Sequence, residues 1–119
     1  MDNTFAHIEI PVKDVKKAKE FYEAIFSWEI TIDTDFPGYA FFKTAEGKVG
    51  GAFDQSDEKK ASGDIMLYVE VEDIPVSLEK IKKAGGKVTQ EKTAIGGEMG
   101  FFATFEDVFG NVLGLWSSK

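Results

Sequence analysis

The chain has 119 residues, with 14 basic residues, all of them lysine, against 21 acidic ones, a single histidine and no cysteine. That is the size of one ordinary domain whose core needs no staples, and it excludes disulfides, cysteine nucleophiles and any metal centre drawing two or three histidines from one chain. A net charge of −7 without arginine argues against nucleic acid or an anionic membrane as a partner, and it removes the bidentate fork used on carboxylates and phosphates.

The opening MDNTFAHIEI has neither a basic cluster nor an apolar run, so a cytoplasmic protein is expected. Ala6, Ile8, Ile10 and Val12 alternate with Phe5, His7, Glu9 and Pro11, the period of a strand with one apolar face. Asp14 follows as a helix cap, and Val15, Ala18, Tyr22 and Ile25 make a helical stripe that stops at Phe26-Ser27. Three short β-like runs come next, at 28–33, 39–44 and 49–53, with turns at Pro37-Gly38 and Gly47. The polar run DQSDEKKASGD has no apolar period and reads as a linker.

The second half repeats the first. Ile65, Leu67, Val69 and Val71 superimpose on the apolar set of the first strand after a shift of 59 residues. Asp73-Ile74 answers Asp14-Val15. A helix with Ile74, Ile81 and Ala84 on its apolar side ends at Gly85-Gly86, and strands are predicted at 87–92, 101–106 and 112–116. The predicted fold is α+β: two tandem βαβββ modules, about residues 4–54 and 64–119, joined by a linker at 55–63 and forming a curved sheet with a concave cleft. Units of this size bury too little to be stable alone, so they are expected to pair within the chain or across a homodimer.

The runs VGGAF and VLGLW each place a glycine inside a strand, which marks a bulge or a close approach to the backbone. Matched by these glycines, Gly51 and Gly114 are partners under the repeat. Phe53 and Trp116 follow them, and with Met66 and Tyr68 they are expected to line the concave side as a pocket for a small organic molecule. The same residues could instead simply fill the cleft or a dimer interface. His7 and Glu9 share a strand face, which allows an acid–base pair, a ligand pair completed by Asp64 or water, or a histidine merely bonded to its neighbour. Glu70 and Glu72 read as a solvated acidic turn. The glycine-rich stretch at 93–102 reads either as a loop that closes over a ligand or as an ordinary hairpin connection.

The segments FAHIEIPVKDVKKAKEFYEAIFSWEI, VEDIPVSLEKIKKAGGKV and FEDVFGNVLGLW, in this order on a βαβββ repeat, resemble the vicinal oxygen chelate superfamily of glyoxalase I, extradiol dioxygenases and bleomycin-resistance proteins. The closing pattern Asp107, Gly110, Asn111, Gly114, Leu115, Trp116 is similar to that of small proteins related to lactoylglutathione lyase. The resemblance implies four metal-ligand positions, which fall on His7, Gly51, Met66 and Gly114. Only the first offers an imidazole. No cofactor is therefore expected, and each glycine stands where a relative presents a ligand, leaving room for something to approach the strand. Two functions follow as expectations. One is a metal-independent binding module for a small molecule. The other is a lyase, isomerase or dioxygenase-type enzyme using His7 and Glu9 with an incomplete or atypical metal site.

Overall fold

In the computed structural model, residues 5–55 and 65–119 are described. Of the expected linker at 55–63, Gln55 belongs instead to the last strand of the first unit, and the remainder, with Asp64, lies outside the described residues. The chain divides into two compact units, Met1–Ala61 and Ser62–Lys119.

The first unit runs β1 (Ile8–Val12), α1 (Val15–Ile25), β2 (Glu29–Ile32), β3 (Tyr39–Lys43) and β4 (Gly51–Gln55). Its sheet has the order β1-β4-β3-β2, with β1 parallel to β4 and the other pairs antiparallel. The helix starts where Asp14 accepts the backbone N–H groups of Lys16 and Lys17 at 2.9 and 3.3 Å. Val15, Ala18, Phe21, Tyr22 and Ile25 are its buried side, so Phe21 joins the stripe that the spacing indicates. They meet Ile10, Val12, Ile30, Phe42 and Phe53, all buried.

An aromatic stack holds the centre of this unit. Tyr22 lies 4.8 Å from Phe53 and 5.4 Å from Trp28, and Phe42 lies 4.8 Å from Trp28 and 5.0 Å from Phe53, between ring centroids. Each such pair contributes about 0.5–1.5 kcal/mol beyond the area it buries.

The second unit runs β5 (Tyr68–Glu70), α2 (Ile74–Lys83), β6 (Lys87–Ala94), β7 (Phe101–Glu106) and β8 (Val112–Ser117), with sheet order β5-β8-β7-β6. Asp73 caps α2 by accepting from Val76 N at 3.1 Å. The helix ends in a paired C-terminal lock: Gly86 N–H donates to the Ile81 carbonyl at 2.9 Å and Gly85 N–H to that of Lys82 at 3.1 Å. Gly85 has φ of +100°, which an L side chain rarely adopts. Ile74, Leu78 and Ile81 are buried with Ala103, Phe105, Leu113 and Leu115. The architecture is thus the α+β pair of βαβββ modules expected from the repeat. The first strand of the second module is shorter than its alternation indicates, Tyr68–Glu70 rather than 65–71.

Register corrects one inference. In the first unit Glu9 pairs with Ala52 and Ile8 with Gly51; in the second Tyr68 pairs with Gly114. Since the shift of 59 places Tyr68 on Glu9, the counterpart of Gly114 is Ala52, not Gly51. A slip of one residue moves a side chain to the opposite face of a sheet. Gly51 and Phe53 therefore share the helix-facing side of β4, and Phe53 is fully buried in the aromatic stack rather than lining a ligand cleft.

Candidate functional site

Two places on the sheets, one in each unit, bring chemistry-bearing side chains together on the face opposite the helix. In the first unit β1 buries Ile10 and Val12 against the helix, so His7 and Glu9 emerge on the other side. β3 alternates the same way: Ala40 and Phe42 are buried, while Tyr39 and Phe41 face outward with Glu9. The hydroxyl of Tyr39 donates to Glu9 Oε2 at 3.0 Å and lies 3.0 Å from His7 Nε2. His7 Nε2 and Glu9 Oε2 are themselves 3.9 Å apart, and both side chains stay about 40% exposed, at 42% and 39%.

Partial desolvation pushes the Tyr39 hydroxyl above the ordinary tyrosine pKa of 10.0, and its hydrogen bond to Glu9 and the charges of Glu9 and Asp54 act in the same direction. The group is a proton donor at neutral pH. Asp54 faces Tyr39 directly across the β3–β4 ladder. Sequence reasoning put His7 and Glu9 on one face but missed Tyr39, whose alternation with Ala40 and Phe42 was the available signal.

In the second unit Tyr68, Ile95, Phe102 and Trp116 line a cavity of about 490 Å³. Phe102 is the direct neighbour of Trp116 across the β7–β8 ladder, and Tyr68 of Gly114 across β5–β8. Trp116 points its indole N–H to the Met99 carbonyl at 3.0 Å. Met99 belongs to the turn that joins β6 and β7, closed by Ile95 N–H to the Gly100 carbonyl at 3.0 Å. Gly96, Gly97 and Gly100 there all have positive φ. Tyr68 and Trp116, expected to line a pocket, lie in this lining together with Phe102 and Ile95. Met66 is half-buried just ahead of β5 and is not among the lining residues.

The two glycines are not openings. A Cβ on Gly51 would run into the Ile8 carbonyl and come within 2.8 Å of Phe42 Cζ. A Cβ on Gly114 would run into the ring of Tyr68. The space expected beside each strand is already filled, by backbone and core in one case and by a lining ring in the other.

The closing motif has a structural role. Asp107 is buried, and its Oδ1 accepts the backbone N–H groups of Phe109 and Asn111, both at 2.8 Å, while Oδ2 accepts Asn111 Nδ2 at 2.9 Å. Asp107 N–H donates in turn to the Asn111 carbonyl at 2.8 Å, and Gly110 turns the chain at φ +89°. This closes the β7–β8 hairpin.

The positions that the resemblance assigns to a metal hold one imidazole, one thioether and two glycines, a donor set that does not fit a hard or borderline divalent cation. Ala52, which register puts in place of Gly51, adds no donor. Among the described residues, no three or more His, Cys, Asp or Glu side chains are grouped to hold an ion.

Comparison with known proteins agrees with the architecture. The profile of the Glyoxalase/Bleomycin resistance protein/Dioxygenase superfamily matches residues 4–115. A glyoxylase-like domain-containing protein of Didymella fabae is 30% identical over 110 residues, covering 87% of this chain and 85% of that protein. The fold is similar to that of the fosfomycin resistance protein FosX from Listeria monocytogenes, with a TM-score of 0.79 at 20% identity over 98% of this chain and 94% of that one. A FosX variant has been solved with Mn(II) and 1S,2S-dihydroxypropylphosphonic acid, with a TM-score of 0.79 at 19% identity over 98% of this chain and 90% of that one. A glyoxalase/bleomycin resistance protein/dioxygenase family enzyme from Burkholderia phytofirmans PsJN gives a TM-score of 0.76 at 16% identity, covering 96% of this chain and 98% of that one. With the two βαβββ modules and the profile match over nearly its whole length, the chain belongs to the Glyoxalase/Bleomycin resistance protein/Dioxygenase superfamily.

Proposed function

We propose that this protein binds a small, uncharged, largely apolar organic molecule in the cavity of its second unit, without a metal at the family's ligand positions. The observation that carries this is the lining itself: three aromatic rings and an isoleucine around about 490 Å³, within the roughly 300–1,000 Å³ typical of small-molecule pockets. The four lining residues carry no charge. A phosphonate such as the one held by the FosX variant is therefore a poor match, and the absence of arginine from the chain argues the same way.

The test is titration with naphthalene followed by Trp116 fluorescence. Saturable quenching that disappears in Trp116→Phe, with Trp28 still present, supports the reading. Equal response of the wild type and Trp116→Phe sinks it. A second reading, proton transfer by His7 and Glu9 in a lyase- or isomerase-type reaction, draws support from their connection through Tyr39.

A further inference from the structure

Tyr39 joins His7 to Glu9, and proton counting fixes what each group does. A phenol carries one proton, and that of Tyr39 is donated to Glu9 Oε2 at 3.0 Å. At the 3.0 Å contact with His7 Nε2 the phenolic oxygen can then only accept, so Nε2 must carry a hydrogen. In a neutral imidazole that leaves Nδ1 as the acceptor.

His7 makes no other hydrogen bond among the described residues, and its side chain is 42% exposed. The neighbouring groups define what suits this acceptor. Phe41, 46% exposed, sets its ring edge-on to Tyr39 at 5.1 Å between centroids, and offers an apolar flank. Across the sheet Phe41 and Glu9 both pair with Ala52, so flank and carboxylate are separated by one small residue. Glu9 from β1 and Asp54 from β4 set two carboxylates beside Tyr39, which disfavours an anion there, while Lys43 stands on the same face of β3 beyond Phe41.

We infer that His7, Tyr39 and Glu9 form a hydrogen-bonded relay that holds His7 as the Nε2–H tautomer and presents Nδ1 to the hydroxyl of a small neutral molecule with an apolar body, such as a phenol. Tyr39 acts here as a positioning residue. The site belongs to the first unit and does not rest on the cavity of the second.

His7 is the chain's single histidine, so its two ring nitrogens can be read without assignment ambiguity by ¹⁵N NMR. Phenol is the probe, anisole the control lacking a donor proton, and benzoate the anionic control. The wild type is expected to show a protonated Nε2 and an Nδ1 resonance that phenol moves saturably and the two controls do not. In Tyr39→Phe the tautomer preference should relax and phenol affinity fall about tenfold, the equivalent of one lost orienting contact. Glu9→Gln, which keeps an acceptor oxygen but removes the charge, should fall between the two, and it supplies the same comparison if Tyr39→Phe does not fold. An imidazole pattern and phenol affinity unchanged in the folded variants would overturn the relay. So would an Nδ1 resonance that phenol and anisole move equally.

Discussion

The ring of Tyr68 lies over the Cα of Gly114, its direct partner across the β5–β8 ladder, so that the missing side chain of one residue is the seat of the other. Gly51 is also closely packed, but against the Ile8 carbonyl, which cannot swing aside. Gly51→Ala should therefore cost about 3 kcal/mol or more through displaced backbone. Gly114→Ala should cost about 1–2 kcal/mol, because a ring at the surface can turn away. Urea denaturation of the two variants orders them. The displaced Tyr68 ring should also weaken naphthalene binding in Gly114→Ala; unchanged affinity would show that the ring's seat does not shape the cavity.

Phe53 and Trp116 look alike in the sequence and should separate cleanly in experiment. Phe53→Ala empties the middle of the aromatic stack and is expected to lower stability by about 3–5 kcal/mol. Trp116→Ala should abolish naphthalene binding with a smaller loss of stability, since this ring is only half-buried. Thermal melts with and without the probe distinguish the two effects.

Asp107 predicts a stability defect remote from either site. Asp107→Ala leaves the N–H groups of Phe109 and Asn111 and the Asn111 amide without their acceptor, at a cost of about 2–3 kcal/mol. Asp107→Asn retains one acceptor oxygen and should lose about half as much. Chemical denaturation reads both, and an Ala variant as stable as the wild type would contradict the hairpin-closing role.

Alkaline titration tests the surroundings of Tyr39. Its folded-state pKa is raised above the ordinary 10.0, so the protonated phenol is the form that the fold favours. The resulting stabilisation is fully present below the unfolded-state value and is lost as pH rises through the folded one. Comparing phenolate absorbance in the wild type and Tyr39→Phe isolates Tyr39, and Glu9→Gln should bring its titration earlier by removing the charge of Glu9 and weakening the hydrogen bond. A tyrosine titration identical in Glu9→Gln and the wild type would refute this linkage.

Much of this was legible because it is local. Asp14 and Asp73 announce the two helices, Gly85-Gly86 stops the second, and period-2 alternation identifies which side chains of a strand share a face. What alternation alone does not give is which face meets the helix, since that depends on register with a strand dozens of residues away. VGGAF offered two glycines as anchors for a match with VLGLW, and the true counterpart of Gly114 is the alanine beside them. That single slip placed Phe53 in a pocket when it belongs to the core. Tyr39 went unnoticed for a related reason: nothing within β3 says that β4 separates it from β1, or that its hydroxyl reaches Glu9.

The packing around the two glycines gives them different evolutionary prospects. Gly51 is hemmed in by main chain, which no substitution elsewhere in the sequence can shorten, so lineages descending from this chain should keep it unchanged. Gly114 is hemmed in by a side chain, and a smaller residue at position 68 would release it. Positions 68 and 114 are thus free to drift as a pair, and with each exchange the shape of the cavity, and the molecules it admits, would be inherited in altered form.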